Sequence, residues 1–285
     1  MAMARMDSAR AKKKKRLIAI LKAYDRLVVA FSGGVDSTFL LAASQEAIGD
    51  RVTAVTADSP IHSRREIREA IETAKALGVK HIVVPFAEMT VPGFAANPPD
   101  RCYTCKQLIF AEIIRMAGSM GVERVAHGVN LDDLGDYRPG LKAAEEMGVA
   151  APLVEAGLNK ADIRALSRRM GLPTWSKPSM ACLASRIPYG RPITPEALKM
   201  VEAAEEILQG LGFSGCRVRH HGDVARIEMA ARDVNRATRP VVRSQLLKGL
   251  QAIGFTHVAV DLEGYVQGSL NRALEGQGAK GRGVK

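Results

Sequence analysis

Two rhythms of apolar residues alternate along the first part of the chain. Short, nearly unbroken apolar runs at 27–31, 52–57, 81–85, 125–128 and 151–154 have the length and β-branched content of buried strands. Between them, apolar positions recur every three or four residues over 9–24, from Ser37 onward, and over 63–77, 105–120, 141–147 and 160–170, as expected of helices with one covered face. Gly78 and Gly121 stand where two of these helices should stop, and Asn159 stands where the last should be capped. Strands that are apolar on both faces belong inside a parallel sheet with helices on either side. The pattern therefore predicts an α/β, doubly wound, Rossmann-like domain over 1–175.

After Gly171 the texture changes. A proline-rich stretch reads as a linker loop over 176–192, and loops of that length in a compact protein tend to carry function. A second, smaller α+β domain is expected over 193–270. It would hold a helix over 195–211 capped by Thr194 with proline at its first position, strands at 217–221 and 225–229, a helix at 241–253 and a strand at 257–262. The basic, glycine-rich end, 271–285, reads as a flexible tail. No internal repeat is visible.

The sharpest local break lies in Val28–Leu40, VVAFSGGVDSTFL, where an apolar strand gives way to Ser32-Gly33-Gly34 and then to a helix start. Adjacent glycines let the backbone turn its N–H groups into one concavity. Ser32, Ser37 and Thr38 add hydroxyls, and the helix N-terminus adds partial positive charge. Such a nest suits a phosphate. It is not the GxxxxGK[ST] loop of γ-phosphoryl transfer, because the required lysine is missing from the local sequence. Asp58 after the second strand and Asn130-Leu131-Asp132-Asp133 after the Val125 strand also fall at carboxyl ends of strands, where open parallel sheets bind ligands.

Charge and cysteines narrow the picture. The 285 residues can bury a sizeable core, and 41 Lys+Arg against 30 Asp+Glu give a formal charge of +11, which favours anionic partners. Part of that excess sits in the block Lys12–Arg16 and in the terminal tail. The chain has no apolar run long enough to span a bilayer and no secretory h-region, so a cytoplasmic protein is expected. Four cysteines, two of them in Cys102-x-x-Cys105, then point to metal or catalytic use over a disulfide framework.

The motif SGGVDS resembles the PP-loop of the N-type ATP pyrophosphatases. Three more segments, 97–106 (NPPDRCYTCK), 127–140 (HGVNLDDLGDYRPG) and 177–186 (KPSMACLASR), extend the likeness. Together they resemble the LarE family, the ATP-dependent sulfur transferases that build the pincer ligand of a nickel cofactor. The resemblance implies an adenine nucleotide alpha hydrolase-like fold and binding of ATP and Mg²⁺ by Ser32, Gly33, Gly34, Asp36 and Ser37. Ala57 and Asp58 would line the adenosine. It implies a nicotinate-derived mononucleotide as substrate, one of whose carboxylates is adenylated before sulfur attacks, and a homo-oligomer, a hexamer. Nucleic acid is not an expected partner.

Arg217 and Arg219 lie two apart on an expected strand, so both could face one phosphate; alternating basic residues on a solvent face are equally ordinary. By resemblance the pair, with Arg186, holds the substrate phosphate. Asp132 and Asp133 could bind magnesium or cap a helix. Glu206 and Glu228 are weaker candidates for a divalent cation. Trp175 could cover a ring or simply pack, while His127, His220 and His221 receive structural or surface roles. The resembling family contains members that sacrifice the sulfur of the Cys182-type cysteine and members that add a CxxC. Cys102, Cys105 and Cys182 together suit a 4Fe-4S cluster with one open iron; the alternatives are a redox pair, a zinc site, or Cys182 as a sacrificial thiol with the CxxC incidental. Rival functions are an NAD synthetase-like amidotransferase, a tRNA thiolase, or a zinc-stabilised nucleotide-binding protein with Cys216 or a histidine as a further ligand.

Overall fold

The computed structural model describes residues 2–135, 139–179, 181–266 and 268–272. In chain order the elements are α1 (Ala2–Lys22), β1 (Leu27–Ala30), α2 (Val35–Ile48), β2 (Val52–Asp58), α3 (Arg64–Ala76), β3 (Lys80–Pro85), α4 (Pro92–Ala95), α5 (Arg101–Ser119), β4 (Val125–His127), α6 (Pro139–Glu146), α7 (Pro152–Glu155), α8 (Lys160–Arg169), α9 (Pro195–Gly210), β5 (Arg217–His221), β6 (Val224–Glu228), α10 (Ala231–Ala237), α11 (Pro240–Ile253) and β7 (His257–Val260). They form two compact units. One comprises Met1–Glu88 with Asp100–Met180, and the other Met89–Pro99 with the chain from Ala181 onward.

The first unit is built on a four-stranded parallel sheet in the order β3-β2-β1-β4. Val29 sits opposite both Ala54 and Ala126, so β1 is covered by a strand on each side. Its side chains are buried because helices cover the faces: Leu17 and Leu21 of α1, Phe39, Leu40 and Leu41 of α2, and Ile163 and Leu166 of α8 join Leu27 and Val29 in one core. The chain leaves β1 toward β2 and later returns to β4 on the other side. That places the topological switch point, where such sheets bind ligands, between the ends of β1 and β4.

One expected strand is absent. The apolar run at 151–154 predicts a fifth strand, but Ala150 alone bridges to Ala126, and Pro152 then opens the short helix α7. Proline has no N–H to give a ladder and its fixed φ suits the first helical position, so pairing stops after one residue. Helix α5 starts at Arg101, before the expected 105, and α10 was not anticipated. The caps at Asn159 and Thr194 are formed: each side chain accepts the backbone N–H three residues on, from Asp162 and Ala197.

The second unit carries a three-stranded sheet in the order β5-β6-β7, antiparallel then parallel. Leu208, Phe213, Val218, Ile227, Leu250 and Phe255 fill its core. Asn97, fully buried with φ +59, organises the loop before α9: its Nδ2 donates to the carbonyls of Ile187, Pro188 and Arg191 at 3.3, 2.8 and 2.9 Å. The tail expected over 271–285 lies outside the described residues from 273 onward.

Candidate active site

Strand β1 ends in the glycine turn, and α2 begins with Gly34 at its N-cap, with no side chain capping the helix. Its first N–H groups therefore lack the carbonyls that an added turn would supply, and they face a ligand or solvent. Ser32 and Ser37 approach Oγ to Oγ at 3.0 Å, and Ser37 Oγ also donates to the Gly34 carbonyl at 3.3 Å, which ties the turn closed beneath the helix end. Gly33 has φ +66, and a Cβ there would lie 3.0 Å from Ala70 of α3. At Gly128, just past β4, the demand is close approach: a Cβ would sit 2.7 Å from the Ser37 nitrogen. The end of β4 is thus pressed against the loop at the switch point.

Asp36 sits in the first turn of α2. Lys160, at the start of α8, pairs with its Oδ2, while Oδ1 is buried and accepts no hydrogen bond among the described residues. Burial pushes the Asp36 carboxyl up, against the pull of Lys160, and nearby Asp133 pushes it further. An unsatisfied, anionic oxygen beside an open helix N-terminus fits a divalent cation in kind: hard, oxygen-seeking and bridging to phosphate. Asp132 accepts the Lys160 backbone N–H at 2.9 Å, and Asp133 accepts the Asn130 backbone and side-chain N–H groups at 3.1 and 2.7 Å. Both therefore also act as caps.

Beside the loop a cleft of about 540 Å³, counting its open mouth, is lined by Ser32, Thr56, Ala57, His62, Lys106 and Phe110 among others. His62 and His127 are both pushed down to about 4, by burial first and then by the Lys106 ammonium, so both rings are neutral at pH 7. Asp58 at the end of β2 pairs with Arg64 at 2.6 Å. Trp175 is partly exposed with Arg168 over its ring at 5.0 Å, so it packs against a cation of its own unit.

Cys102 and Cys105 lie three residues apart near the start of α5 and hence on one face. Cys105 is buried and Cys102 half-buried; Cys182, half-buried, caps the 3₁₀ turn Leu183–Arg186 of the second unit, and none of these thiols is in a disulfide. Among the described residues no group of three His, Cys, Asp or Glu is gathered as a metal site. Cys216 is buried, and its thiol is pushed up to about 12 by burial and by the Glu205 charge, which leaves it unreactive at neutral pH.

In the second unit Arg186, Arg217 and Arg219 are all buried. Arg186 makes a two-pronged pair with Glu205 at 2.8 and 2.9 Å and also donates to the Ala181 and Cys182 carbonyls at 2.5 and 3.0 Å. Arg219 donates to Glu228 at 2.6 Å and to the Ser185 carbonyl at 2.8 Å. Arg217 lies over the Tyr265 ring at 5.1 Å. Glu206, singled out from sequence, is exposed; its neighbour Glu205 is the one turned inward. The signal was available, since 198, 201, 205 and 208 form the buried stripe of α9 and 206 falls off it. Glu228 holds Arg219 and Arg226. Lys106, Lys160 and Lys177 were also missed. Each reaches the loop or the cleft beside it from a distant part of the first unit, and short-motif spacing carries no trace of that.

The family model for queuosine biosynthesis protein QueC matches residues 26–93, the stretch holding the glycine turn and the cleft's first wall. An uncharacterized protein of Synechocystis is 41% identical over 88% of this chain and 93% of its own. The pyridinium-3,5-bisthiocarboxylic acid mononucleotide synthase of Lactiplantibacillus plantarum is 37% identical over 93% of this chain and 95% of its own. A tRNA-specific 2-thiouridylase of Xanthobacter autotrophicus is 31% identical, over 54% of this chain and 49% of its own, so that likeness is partial. An SGGVDS turn at the switch point of a parallel sheet, joined to a likeness that runs nearly end to end, gives the assignment: the chain belongs to the LarE family of PP-loop, ATP-dependent sulfurtransferases.

Proposed function

We propose that the protein converts a carboxylate of a nicotinate-derived pyridinium mononucleotide to a thiocarboxylate. A carboxylate oxygen attacks the α-phosphorus of ATP and pyrophosphate leaves; sulfur then attacks the acyl carbon and AMP leaves. The observation that carries this reading is the uncapped N-terminus of α2 beside the buried, unpartnered Asp36 Oδ1. The likeness to the L. plantarum synthase supports the substrate class.

Ser32, Gly33, Gly34 and Ser37 hold the phosphates, chiefly by backbone N–H groups that need no reorganisation when charge develops on the departing pyrophosphate. Asp36, with Asp133 and Asp132 near it, holds Mg²⁺, which neutralises phosphate charge when bound. Ala57 and the cleft beside it take the adenosine, with Asp58 at its rim. Arg217, Arg219 and Arg186 bind the phosphate of the mononucleotide, and Glu228 and Glu205 keep the Arg219 and Arg186 guanidinium groups in place until it arrives. Glu206, which is exposed, and Glu228, which pairs with Arg219 and Arg226, stay the weaker candidates for a divalent cation.

For the sulfur, the donor set fits a cluster in kind: three soft thiols without disulfides, two on one helix face. We assign Cys102, Cys105 and Cys182 as the residues that would hold an iron-sulfur cluster, whose chemistry would be to deliver hydrosulfide to the acyl carbon. Cys102 and Cys105 lie near the start of α5, where the helix dipole favours a negatively charged ligand set. The protein should work as a cytoplasmic homo-oligomer, a hexamer, which light scattering tests. Anaerobic reconstitution with iron and sulfide, followed by iron analysis of wild type and of each Cys→Ala variant, tests the sulfur route. Loss of iron in the Cys102, Cys105 and Cys182 variants but not in Cys216→Ala is expected. Wild type that binds no iron and loses sulfur mass from Cys182 in one turnover contradicts it.

A further inference from the structure

Lys177, near the end of the first unit, is unusually placed. Its ammonium donates to the Gly33 carbonyl of the PP-loop at 3.0 Å and pairs with Glu69 of α3 at 2.8 Å, with only 14% of the side chain exposed. Glu69 directly precedes Ala70, the residue against which Gly33 is packed. The loop and α3 thus both meet the Lys177 side chain, one through the Gly33 carbonyl and the other through Glu69.

The base of this lysine is fixed as firmly as its head. Arg164 of α8 donates to the carbonyls of Trp175 and Lys177 at 2.7 and 2.8 Å, and the Lys177 N–H closes a turn onto Thr174. Lys177 itself is extended, φ −57 and ψ 131, as a residue before proline must be, and Pro178 stiffens the next step. Five residues further on stands Cys182. An exposed ion pair in the same place would be worth little. This one is largely covered, and its second bond is to the loop backbone.

We propose that Lys177 is a positioning residue that ties the PP-loop, through the Gly33 carbonyl and Glu69, to the stretch carrying Cys182, so that phosphate in the loop is communicated to that stretch. This rests on ATP occupying the loop. A polyphosphate seated on the loop N–H groups brings negative charge that competes with Glu69 for the ammonium, and any re-setting of Gly33 moves the carbonyl it holds. Glu69 is a sound counter-ion for such an exchange: burial favours its neutral form, yet Lys177 and Arg65 together hold its carboxyl below the usual range. This lysine reaches the loop from 144 residues away in the sequence and acts there as a link.

The test is amide hydrogen exchange over 178–186 in the full-length protein. It is run with and without magnesium and an ATP analogue carrying a methylene between its α and β phosphorus atoms. Nucleotide binding is measured on the same samples by equilibrium dialysis. In wild type the analogue should change exchange in this segment about fivefold or more, the range of ordinary coupling energies. In Lys177→Met that response should fall below about twofold while the analogue still binds, and Lys177→Arg should restore most of it. Glu69→Gln, which loosens the ammonium without touching the lysine, should weaken the response as well and covers the case in which Lys177→Met does not fold. A full response in Lys177→Met, or binding by wild type with no change in the segment, overturns the link alone. Wild type that binds no nucleotide overturns the ATP reading and the link with it.

Discussion

The two units of this protein hold charge in opposite ways. At the loop of the first unit the binding groups are left open: α2 has no capping side chain and Asp36 keeps an unpartnered buried oxygen. In the second unit the arginines are committed, Arg186 to Glu205 and Arg219 to Glu228. An anion entering the first site meets donors already aimed at it, whereas one entering the second must share or displace a carboxylate. The first arrangement stabilises charge that appears during a reaction. On the proposed reading the second would select, because only a ligand that matches the guanidinium geometry compensates for the partners it disturbs.

The contrast is most exposed to test at Arg186. Removing it by Arg186→Ala leaves Glu205 buried without its main partner, an error that costs about 3–5 kcal/mol. Urea unfolding should show that loss, and the pair replacement Arg186→Met with Glu205→Leu should recover much of it. Recovery will be incomplete because Glu205 also accepts the Val218 N–H. A loss under about 1 kcal/mol for Arg186→Ala would mean the pair behaves like a surface ion pair.

Gly128→Ala probes the first unit. The new Cβ meets backbone that cannot swing away, so the end of β4 or the start of α2 must shift, at about 1–3 kcal/mol. Pyrophosphate formation should fall much further than stability does. Gly118→Ala on α5, with open space around it, is the control and should be neutral or slightly stabilising.

A smaller effect is expected from acid. His62 and His127 have folded pKa values of about 4 against an ordinary 6.5, so between those values the unfolded chain binds protons that the folded chain does not. Stability should therefore be level above about pH 6.5 and decline as pH falls toward 4. Lys106→Met removes the cation that both rings share and should narrow that window, as thermal unfolding across pH would show. The smallest effect is chemical: Cys216, with its thiol near 12, should react with iodoacetamide far more slowly than Cys182 in metal-free protein, read by peptide mass.

Much of the fold was legible because its signals are local. The apolar runs at 27–31 and 52–57, the caps Asn159 and Thr194, and the glycine break after Phe31 are each written in a few neighbouring residues. The failed strand at 151–154 shows the limit, since apolar content outweighed a proline that should have demoted it. The candidate site was half legible. The loop residues follow one another in sequence, but Lys160 and Lys177 reach the loop only through the winding of the sheet. Glu205 was passed over for Glu206 because side-chain chemistry was read without the helical period that decides which of two adjacent glutamates turns inward.

The central claim is that the loop cleaves ATP between its α and β phosphates to activate a carboxylate. Incubating the protein with ATP labelled at the α and γ positions, magnesium and a pyridinium carboxylate mononucleotide, then separating the nucleotides, tests it directly. AMP and pyrophosphate in equal amounts, dependent on the carboxylate and lost in Asp36→Ala, are expected; ADP and free phosphate as the products contradict it.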